Sequence, residues 1–344
     1  MLQASAGKVA AALEPARAQN MLTIEALKAY YINEHYGVRR EIRAVDDISL
    51  VVRRNEIYGL AGESSSGKTS LIKTLAGAIR PPMRVIGGSV TFNFGGENVN
   101  VYRQPDKMRA ARWRHLSYIM QGSMNVLNPV RRVKHSFRDF ASRHMDRQDF
   151  QQHLETHLQR LQLAPGVLEA FPHQLSGGMR QRVAIALATI CEPEFIVADE
   201  PTTALDVLVQ QDVLALIKEV QQRLQSSVVF VTHDMSVHAA IADRLGIMYA
   251  GRLVEEGPTG QIFAHPQHPY TAHLINSLPR IGDLRVRESL PGRPPALFDP
   301  PGGCRFHPRC PLAIERCSRE SPQMLPSKTS GRVACHRAGE AEVA

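Results

Sequence analysis

Three short apolar runs dominate the hydrophobic pattern of the chain, at residues 57–61, 195–198 and 228–232. Runs of this length without the spacing of an amphipathic helix are typical of strands buried on both faces. Segments with helical patterning separate the three runs. The pattern therefore predicts βαβ units and a parallel sheet.

Weaker patterns precede the first run and fill the interval between the first and second runs. Polar and apolar residues alternate from 27 to 52, and residues 90–94 look like an edge strand. Residues 69–78 predict a helix that ends before Pro81, and residues 126–182 are mostly helical in spacing. A helical segment is thus expected between the first and second buried strands.

The length of 344 residues suggests about two domains, and the composition changes along the chain. Residues 1–22 are interpreted as a flexible leader, because they are rich in alanine and lack the apolar stretch of a signal peptide. After about residue 261 come two His-Pro pairs, a helix and a Pro/Gly-rich segment from 291 to 303. We therefore place a domain boundary near Gln261.

The charge balance is basic, with a formal net charge of +8. The arginines and lysines are scattered and form no stripe with interleaved aromatic residues, so nucleic acid is not an expected partner. No apolar run is long enough to span a bilayer. We expect a soluble protein that reaches a membrane only through partner proteins.

A phosphate-binding loop, residues 62–69, follows the first buried strand. Its sequence, GESSSGKT, fits G-x-x-x-x-G-K-[ST], and a predicted strand and helix flank it as that motif requires. Glycines let backbone N–H groups point at phosphate oxygens, Lys68 can reach the β- and γ-phosphates, and the Thr69 hydroxyl can bind Mg²⁺. The candidate nucleotide-binding residues here are Gly62, Glu63, Ser64, Ser65, Ser66, Gly67, Lys68, Thr69 and Ser70.

Two carboxylates, Asp199 and Glu200, follow the second buried strand. A strand end beside a phosphate-binding loop is where ligand sites form in an open α/β sheet. Asp199 is a candidate Mg²⁺ ligand, directly or through water. Glu200 is a candidate general base that polarises the attacking water, so the pair predicts hydrolysis of a nucleoside triphosphate.

A second Ser/Gly turn, LSGGMRQR at residues 175–182, lies shortly before the acidic strand. It resembles the LSGGQ-type signature of ABC ATPases. Because the N-terminus of a helix favours anions, this turn is a second candidate anion-binding site beside the phosphate-binding loop. One chain cannot place both Gly-rich ends on the same γ-phosphate. The resemblance implies a head-to-tail dimer in which Ser176, Gly177 and Gly178 face a nucleotide bound to the partner chain.

Three further elements resemble the same family and occur in its order. Gln121 resembles the Q-loop glutamine, which implies contacts with Mg²⁺ and with membrane subunits. Residues 204–206 resemble the D-loop, with Asp206 at the dimer interface, and His233 resembles the switch histidine that contacts the γ-phosphate. The implied catalytic residues are Glu200, His233 and Gln121, and the implied Mg²⁺ ligands are Thr69, Gln121 and Asp199.

An aromatic side chain that stacks on adenine is also expected from the resemblance. Tyr36 is the first choice, because it precedes Gly37 and the strand that begins near Ala44, as in the family. Tyr30 and Tyr31 are the competing candidates.

The fold implied by this resemblance is that of a P-loop NTPase of the ABC type, an α/β fold. It has a RecA-like parallel sheet core, an antiparallel β subdomain and a helical signature subdomain at about residues 123–185. The ATPase domain would cover residues 23–260. A C-terminal extension with the cysteine segment would cover residues 261–344.

The extension resembles one branch of the family. Residues 125–130, NVLNPV, are similar to the "SLNP" stretch of oligopeptide, dipeptide and nickel importer ATPases. The HPYT sequence at 268–271, followed by SLP at 277–279, and GCRFHPRCP at 303–311 are similar to their C-terminal elements. The resemblance implies ATP-powered import of peptides, with sugars or nickel as alternative cargoes.

The resemblance implies a membrane transporter in which this chain is a peripheral subunit at the cytoplasmic face. Its other members are two transmembrane permease subunits, a second ATPase subunit and an extracytoplasmic solute-binding protein. The branch usually pairs two different ATPases, so a heterodimer is favoured. A soluble ABC ATPase outside transport is the alternative, but such proteins usually carry two ATPase domains or a long coiled-coil insertion, and this chain has neither.

Four cysteines, Cys304, Cys310, Cys317 and Cys335, are concentrated near the end of the chain. Four thiolates suit an iron–sulfur cluster or zinc, although the close Cys pair usual in zinc sites is missing. Reduced structural thiols are the third possibility. Several members of the branch hold a [4Fe–4S] cluster in this segment, so the resemblance implies one here. Cys191 is interpreted as a packing residue.

Overall fold

The computed structural model describes residues 20–120, 127–141, 147–203, 205–278, 290–328 and 331–340. Residues 1–19 of the predicted leader and Gln121 lie outside these ranges. The strands, numbered along the chain, are β1 (Asn20–His35), β2 (Val38–Arg53), β3 (Ile57–Ala61), β4 (Met83–Phe94), β5 (Glu97–Asn100), β6 (Leu116–Ile119), β7 (Phe195–Asp199), β8 (Ser227–Val231), β9 (Arg244–Tyr249), β10 (Arg252–Pro258), β11 (Leu325–Pro326) and β12 (Arg332–Val333).

The helices are numbered in the same way. They are α1 (Lys68–Leu75), α2 (Pro105–Ala111), α3 (Val133–Ala141), α4 (Arg147–Arg160), α5 (Gly177–Thr189), α6 (Val207–Leu224), α7 (Met235–Ile241), α8 (Thr259–Ala264), α9 (Pro269–Asn276) and α10 (Glu315–Arg319). Within the described ranges, none of these helices combines the length and the apolar character needed to cross a membrane.

An eight-stranded sheet forms the centre of the protein, in the order β11-β12-β10-β9-β3-β8-β7-β6. Strands β9, β3, β8, β7 and β6 pair in parallel. All residues of β3, β7 and β8 are buried, and these strands coincide with the three apolar runs to within one residue. The predicted parallel sheet is confirmed, because strands covered on both faces favour continuous apolar sequence.

The parallel order gathers the candidate site at one edge of the sheet. Strand β3 lies next to β8, and β8 lies next to β7. The phosphate-binding loop follows β3, Asp199 ends β7, and His233 comes two residues after β8. The carboxyl ends of these strands therefore bring together segments that are far apart in the sequence.

A separate four-stranded antiparallel sheet has the order β2-β1-β4-β5. The expectation of an edge strand at residues 90–94 is wrong. Those residues belong to β4, which pairs with β1 on one side and with β5 on the other. The edge is taken by β5, a short strand that returns directly after a turn at Gly95 and Gly96.

The helical region between β6 and β7 contains α3, α4 and α5 within its described residues. Leu154, Leu158 and Leu161, whose spacing predicts α4, are buried in one cluster with Val183 and Ile185 of α5. The helical prediction for this region is confirmed for the residues described.

The segment after residue 261 packs against the large sheet. Residue 261 itself lies inside α8. Strand β12 pairs with β10, and Tyr270 and Phe306 share a buried cluster with Ala61 of β3 and Ile247 of β9. The extension therefore completes the core beside the first strand of the nucleotide machinery.

Candidate nucleotide site

The phosphate-binding loop has two glycines that no other residue could replace without strain. Gly67 caps α1 with a φ of 103°, and a methyl group there would lie 2.0 Å from the carbonyl oxygen of Ala44. A methyl group at Gly62 would lie 2.2 Å from the carbonyl oxygen of Met248. Strand–loop–helix geometry of this kind directs backbone N–H groups toward one point, as a phosphate requires.

Lys68 is enclosed by the loop. Its Nζ atom donates to the carbonyl oxygens of Gly62 at 2.7 Å and Glu63 at 2.9 Å, and to the hydroxyl of Ser66 at 3.3 Å. The side chain is buried. Burial lowers the pKa of Lys68 to about 8, while the nearby carboxylates of Glu200, Asp199 and Glu63 oppose that shift. These contacts hold the Lys68 ammonium group within the loop.

Asp199 ends β7 in a buried position. Burial raises the pKa of its carboxyl group, and the Tyr118 hydroxyl partly offsets this by donating to Oδ2 at 3.2 Å. A carboxylate whose charge is disfavoured by burial gains from a nearby cation, so the residue fits a Mg²⁺ ligand. Thr69, the other predicted ligand described here, is exposed at the start of α1. Sequence patterns gave no signal for Tyr118.

Glu200 and His233 form a direct pair. The Nε2 atom of His233 lies 2.5 Å from Oε1 of Glu200, whose side chain is only 10% exposed. The backbone N–H of Glu200 donates to the carbonyl oxygen of Val231 at 2.8 Å, and the Thr203 hydroxyl donates to Oε2 at 3.1 Å. These bonds fix the carboxylate against the neighbouring strand, where it and the histidine can act together on a water molecule.

The signature turn lies at the start of α5. The Ser176 side chain caps this helix by accepting from the N–H of Met179 at 3.2 Å. A methyl group at Gly178 would lie 2.9 Å from Cγ1 of Val209, so glycine permits close packing against α6. Asp206 caps α6 by accepting from the N–H of Val209 at 3.0 Å. The signature turn and the Asp206 segment are thus packed together.

The three candidate tyrosines occupy different environments. Tyr36 lies at the tip of the β1–β2 hairpin with a φ of 50°, and its side chain is fully exposed. Tyr30 is buried, and its hydroxyl donates to Asp46. The hydroxyl of Tyr31 lies 3.2 Å from Oγ of Ser70 in α1. Of the three, only Tyr31 has a described hydrogen bond to the helix that follows the phosphate-binding loop.

The four C-terminal cysteines line one cavity, and none of the four is in a disulfide. Burial raises the pKa of Cys304 and Cys310 and raises that of Cys335 to about 12, with neighbouring cysteines adding to each shift. Thiols whose ionisation is this unfavourable need a cationic centre before they can act as ligands. The four thiols are chemically suited to such a centre. Within the described ranges, however, no three His, Cys, Asp or Glu side chains are grouped as for a single metal ion.

Comparisons with known proteins agree with this geometry. The family model for ABC transporters matches residues 45–203, and the model for the C-terminal region of oligopeptide/dipeptide transporters matches residues 254–317. The dipeptide transport ATP-binding protein DppD of Caldanaerobacter subterraneus is 38% identical over 322 residues, covering 92% of this chain and 96% of that protein. The chain belongs to the oligopeptide/dipeptide branch of ABC transporter ATPases.

A further relative supports the family assignment, and two solved structures share the fold. The oligopeptide transport ATP-binding protein OppD of Escherichia coli is 38% identical, covering 86% of this chain and 89% of that protein. CbiO1 of Clostridium perfringens matches with a TM-score of 0.60 at 22% identity, covering 72% of this chain and 91% of that one. A bacterial ABC transporter cassette solved as a dimer matches with a TM-score of 0.58 at 22% identity, covering 70% and 99%. These structures confirm the predicted ABC ATPase fold.

Proposed function

We propose that this ATPase powers the import of peptides by a membrane ABC transporter. The observation that carries the proposal is the Glu200–His233 pair at the edge of the sheet that also holds the Lys68 loop. The cargo class is supported by the C-terminal family match and by relatives that bear the names of dipeptide and oligopeptide transport proteins.

The positions of the side chains support the following chemical roles. The loop amides and Lys68 bind the triphosphate, and Glu200 accepts a proton from the water that attacks the γ-phosphate. His233, which is paired with Glu200, orients this carboxylate and the γ-phosphate. Thr69 and Asp199, together with Gln121, would hold Mg²⁺, which supplies neutralising charge at the phosphates.

The assembly proposed is a head-to-tail pair of ATPase subunits. Ser176, Gly177 and Gly178 bind the nucleotide held by the second subunit, with Asp206 at the interface between them. The capped start of α5 supports this role, because helix N-termini favour anions. The ATPase pair lies at the cytoplasmic face of the membrane, where it meets two transmembrane permease subunits. An extracytoplasmic solute-binding protein completes the transporter, and the favoured second ATPase is a different chain.

For adenine stacking we propose Tyr31 in place of Tyr36. The Tyr31 hydroxyl contacts Ser70, whereas Tyr36 lies five residues farther along the hairpin. Five strand residues correspond to roughly 16 Å. The aromatic ring of Tyr31 is therefore the better candidate to meet a base whose phosphates lie on α1.

For the cysteine segment we propose a [4Fe–4S] cluster, which would supply a covalent link between four chain positions and a redox-active centre. Its ligands would be Cys304, Cys310, Cys317 and Cys335. The convergence of four thiols on one cavity supports it. The N–H of Arg337 also donates to Sγ of Cys335 at 3.4 Å, a bond that stabilises thiolate charge. Zinc is less favoured, because the close Cys pair usual in zinc sites is missing from the sequence.

The cluster proposal is tested by purifying the protein without oxygen. We expect visible charge-transfer absorbance and about four irons and four sulfides per chain, all lost in Cys317→Ser. Finding zinc in place of iron would refute the proposal. So would a metal-free protein whose free energy of unfolding is unchanged in Cys317→Ser.

The transport proposal is tested in proteoliposomes that contain the complete transporter. We expect ATP-dependent uptake of dipeptides or oligopeptides when the solute-binding protein is supplied. Uptake of nickel or of a sugar, with no uptake of peptides, would replace the proposed cargo. Failure to co-purify with hydrophobic membrane subunits would instead favour a soluble ABC ATPase.

A further inference from the structure

The C-terminal extension makes an ion pair with the phosphate-binding loop. The Nη1 and Nη2 atoms of Arg309 donate to the two carboxylate oxygens of Glu63, at 2.8 and 3.2 Å. The two residues are 246 positions apart in the sequence. The Arg309 side chain is only 7% exposed, so solvent screens this bidentate pair far less than a surface ion pair.

The extension holds the same loop residue at a second point. The backbone N–H of Glu63 donates to the Tyr270 hydroxyl at 2.8 Å. Tyr270 packs edge-on against Tyr249, with ring centroids 4.7 Å apart, and it also packs against Phe306. Both the side chain and the backbone of residue 63 are therefore fixed by residues that follow position 261.

Arg309 is itself held rigidly. Its Nε atom donates to the carbonyl oxygen of Pro291 at 2.9 Å, and Nη1 also donates to the Tyr249 hydroxyl at 3.3 Å. A guanidinium with this many fixed partners has little freedom left, so it can determine where the Glu63 carboxylate lies.

The position of this carboxylate matters for an anionic ligand. Glu63 is the second residue of the phosphate-binding loop, and its carbonyl oxygen accepts from Lys68. An unpaired negative charge there would repel a bound triphosphate, and such repulsion is strong where water is excluded. A guanidinium that neutralises the carboxylate and holds it to one side removes that repulsion.

We propose that Arg309 and Tyr270 are positioning residues for nucleotide binding, which act on the phosphate-binding loop through Glu63. This inference rests on the proposed function in one respect, since it assumes that ATP binds at the loop. It gives the extension a direct part in the ATPase site, in addition to its packing against the sheet.

The first test needs no nucleotide. Hydrogen exchange is measured on the full chain over the peptide that spans β3 and the phosphate-binding loop. Arg309→Met and Tyr270→Phe should each speed exchange in this peptide by about tenfold, as expected for the loss of a charge-assisted or buried hydrogen bond. The matched control is Arg316→Met. It removes an exposed arginine of α10 that pairs with Glu320, and it should leave exchange in the loop peptide unchanged.

The second test measures the Kd for Mg-ATP in a double-mutant cycle. Arg309→Met should weaken binding by about tenfold, because it leaves the Glu63 carboxylate unpaired. Adding Glu63→Gln to Arg309→Met should restore most of the affinity, since no charge then remains to repel the phosphates. If Arg309→Met folds poorly, Arg309→Lys keeps the charge but loses the bidentate geometry, and should weaken binding by about threefold.

The outcomes separate this inference from the proposed function. The inference would be overturned if hydrogen exchange were unchanged in Arg309→Met and Tyr270→Phe. It would also be overturned if Arg309→Met lost as much affinity for Mg-ATP in combination with Glu63→Gln as it does alone. If the wild-type protein binds no ATP, or Lys68→Ala binds it equally well, the proposed function fails. The exchange experiment would still decide whether the extension fixes the loop.

Discussion

The imidazole of His233 and the carboxylate of Glu200 lie 2.5 Å apart, between Nε2 and Oε1, at the ends of two neighbouring parallel strands. Strand β7 ends at residue 199 and β8 at residue 231, so each side chain follows its strand by one or two residues. The proposed general base and the histidine proposed to orient it are thus brought together by sheet topology.

Replacing the carboxylate should separate ATP binding from hydrolysis. In Glu200→Gln we expect nucleotide binding to persist, while phosphate release falls by at least about a hundredfold, because the general base is lost. Nucleotide retention and phosphate release are measured on the same sample with its partner subunits. The control is Glu219→Gln, an exposed position on α6. Full hydrolysis by Glu200→Gln would remove Glu200 from the mechanism.

The affinity for ATP should fall at alkaline pH. Burial lowers the pKa of Lys68 to about 8, so the ammonium group is charged below that pH and becomes neutral above it. If only the charged form binds the triphosphate well, affinity falls by up to about tenfold for each pH unit above 8. Titration of Mg-ATP between pH 7 and 9.5 measures this, and Lys68→Ala should show no such fall. A flat profile for the wild type would contradict the assignment.

The choice between the tyrosines can be made by substitution. Tyr31→Ala should raise the Kd for ATP by about tenfold, in line with the usual contribution of one aromatic ring stacked on a base. Tyr31→Phe keeps the ring and should bind normally. Equilibrium binding of a fluorescent ATP analogue provides the measurement. If Tyr36→Ala weakens binding and Tyr31→Ala does not, the original expectation for Tyr36 is restored.

Docking of the extension should contribute to stability through a buried ion pair. Arg305 donates to Asp46 of β2 and to the carbonyl oxygen of Ala250, and both charged side chains are buried. Arg305→Met leaves the Asp46 carboxylate with less compensation and should lower the free energy of unfolding by about 3 kcal/mol. Urea unfolding measures the loss. Arg319→Met, at an exposed pair on α10, should cost under about 0.5 kcal/mol.

The parts of the site that were predictable from sequence depend on local patterns. Lys68 lies in a contiguous motif, and its position between a strand and a helix follows from the residues around it. Asp199, Glu200 and His233 were predictable because each follows an apolar run, and parallel strands place their carboxyl ends at one edge. Their roles as ligand, base and partner stay predictions for the experiments above.

The parts that were missed depend on contacts between distant segments. The edge assignment of residues 90–94 failed because β5 is short and polar, with little apolar signal. The pair between Arg309 and Glu63 spans 246 positions, and neither residue has a local pattern that indicates the other. Tyr31 and Tyr36 differ only in how far each lies along a hairpin, which depends on strand register.

The central claim is that ATP held by the Lys68 loop drives the movement of peptide across a membrane. The most direct measurement compares peptide uptake by proteoliposomes carrying the complete transporter, with either the wild-type chain or Lys68→Ala. The account predicts ATP-dependent uptake by the wild type, and loss of both nucleotide retention by this chain and peptide uptake in Lys68→Ala. Equal uptake by the two transporters would contradict it.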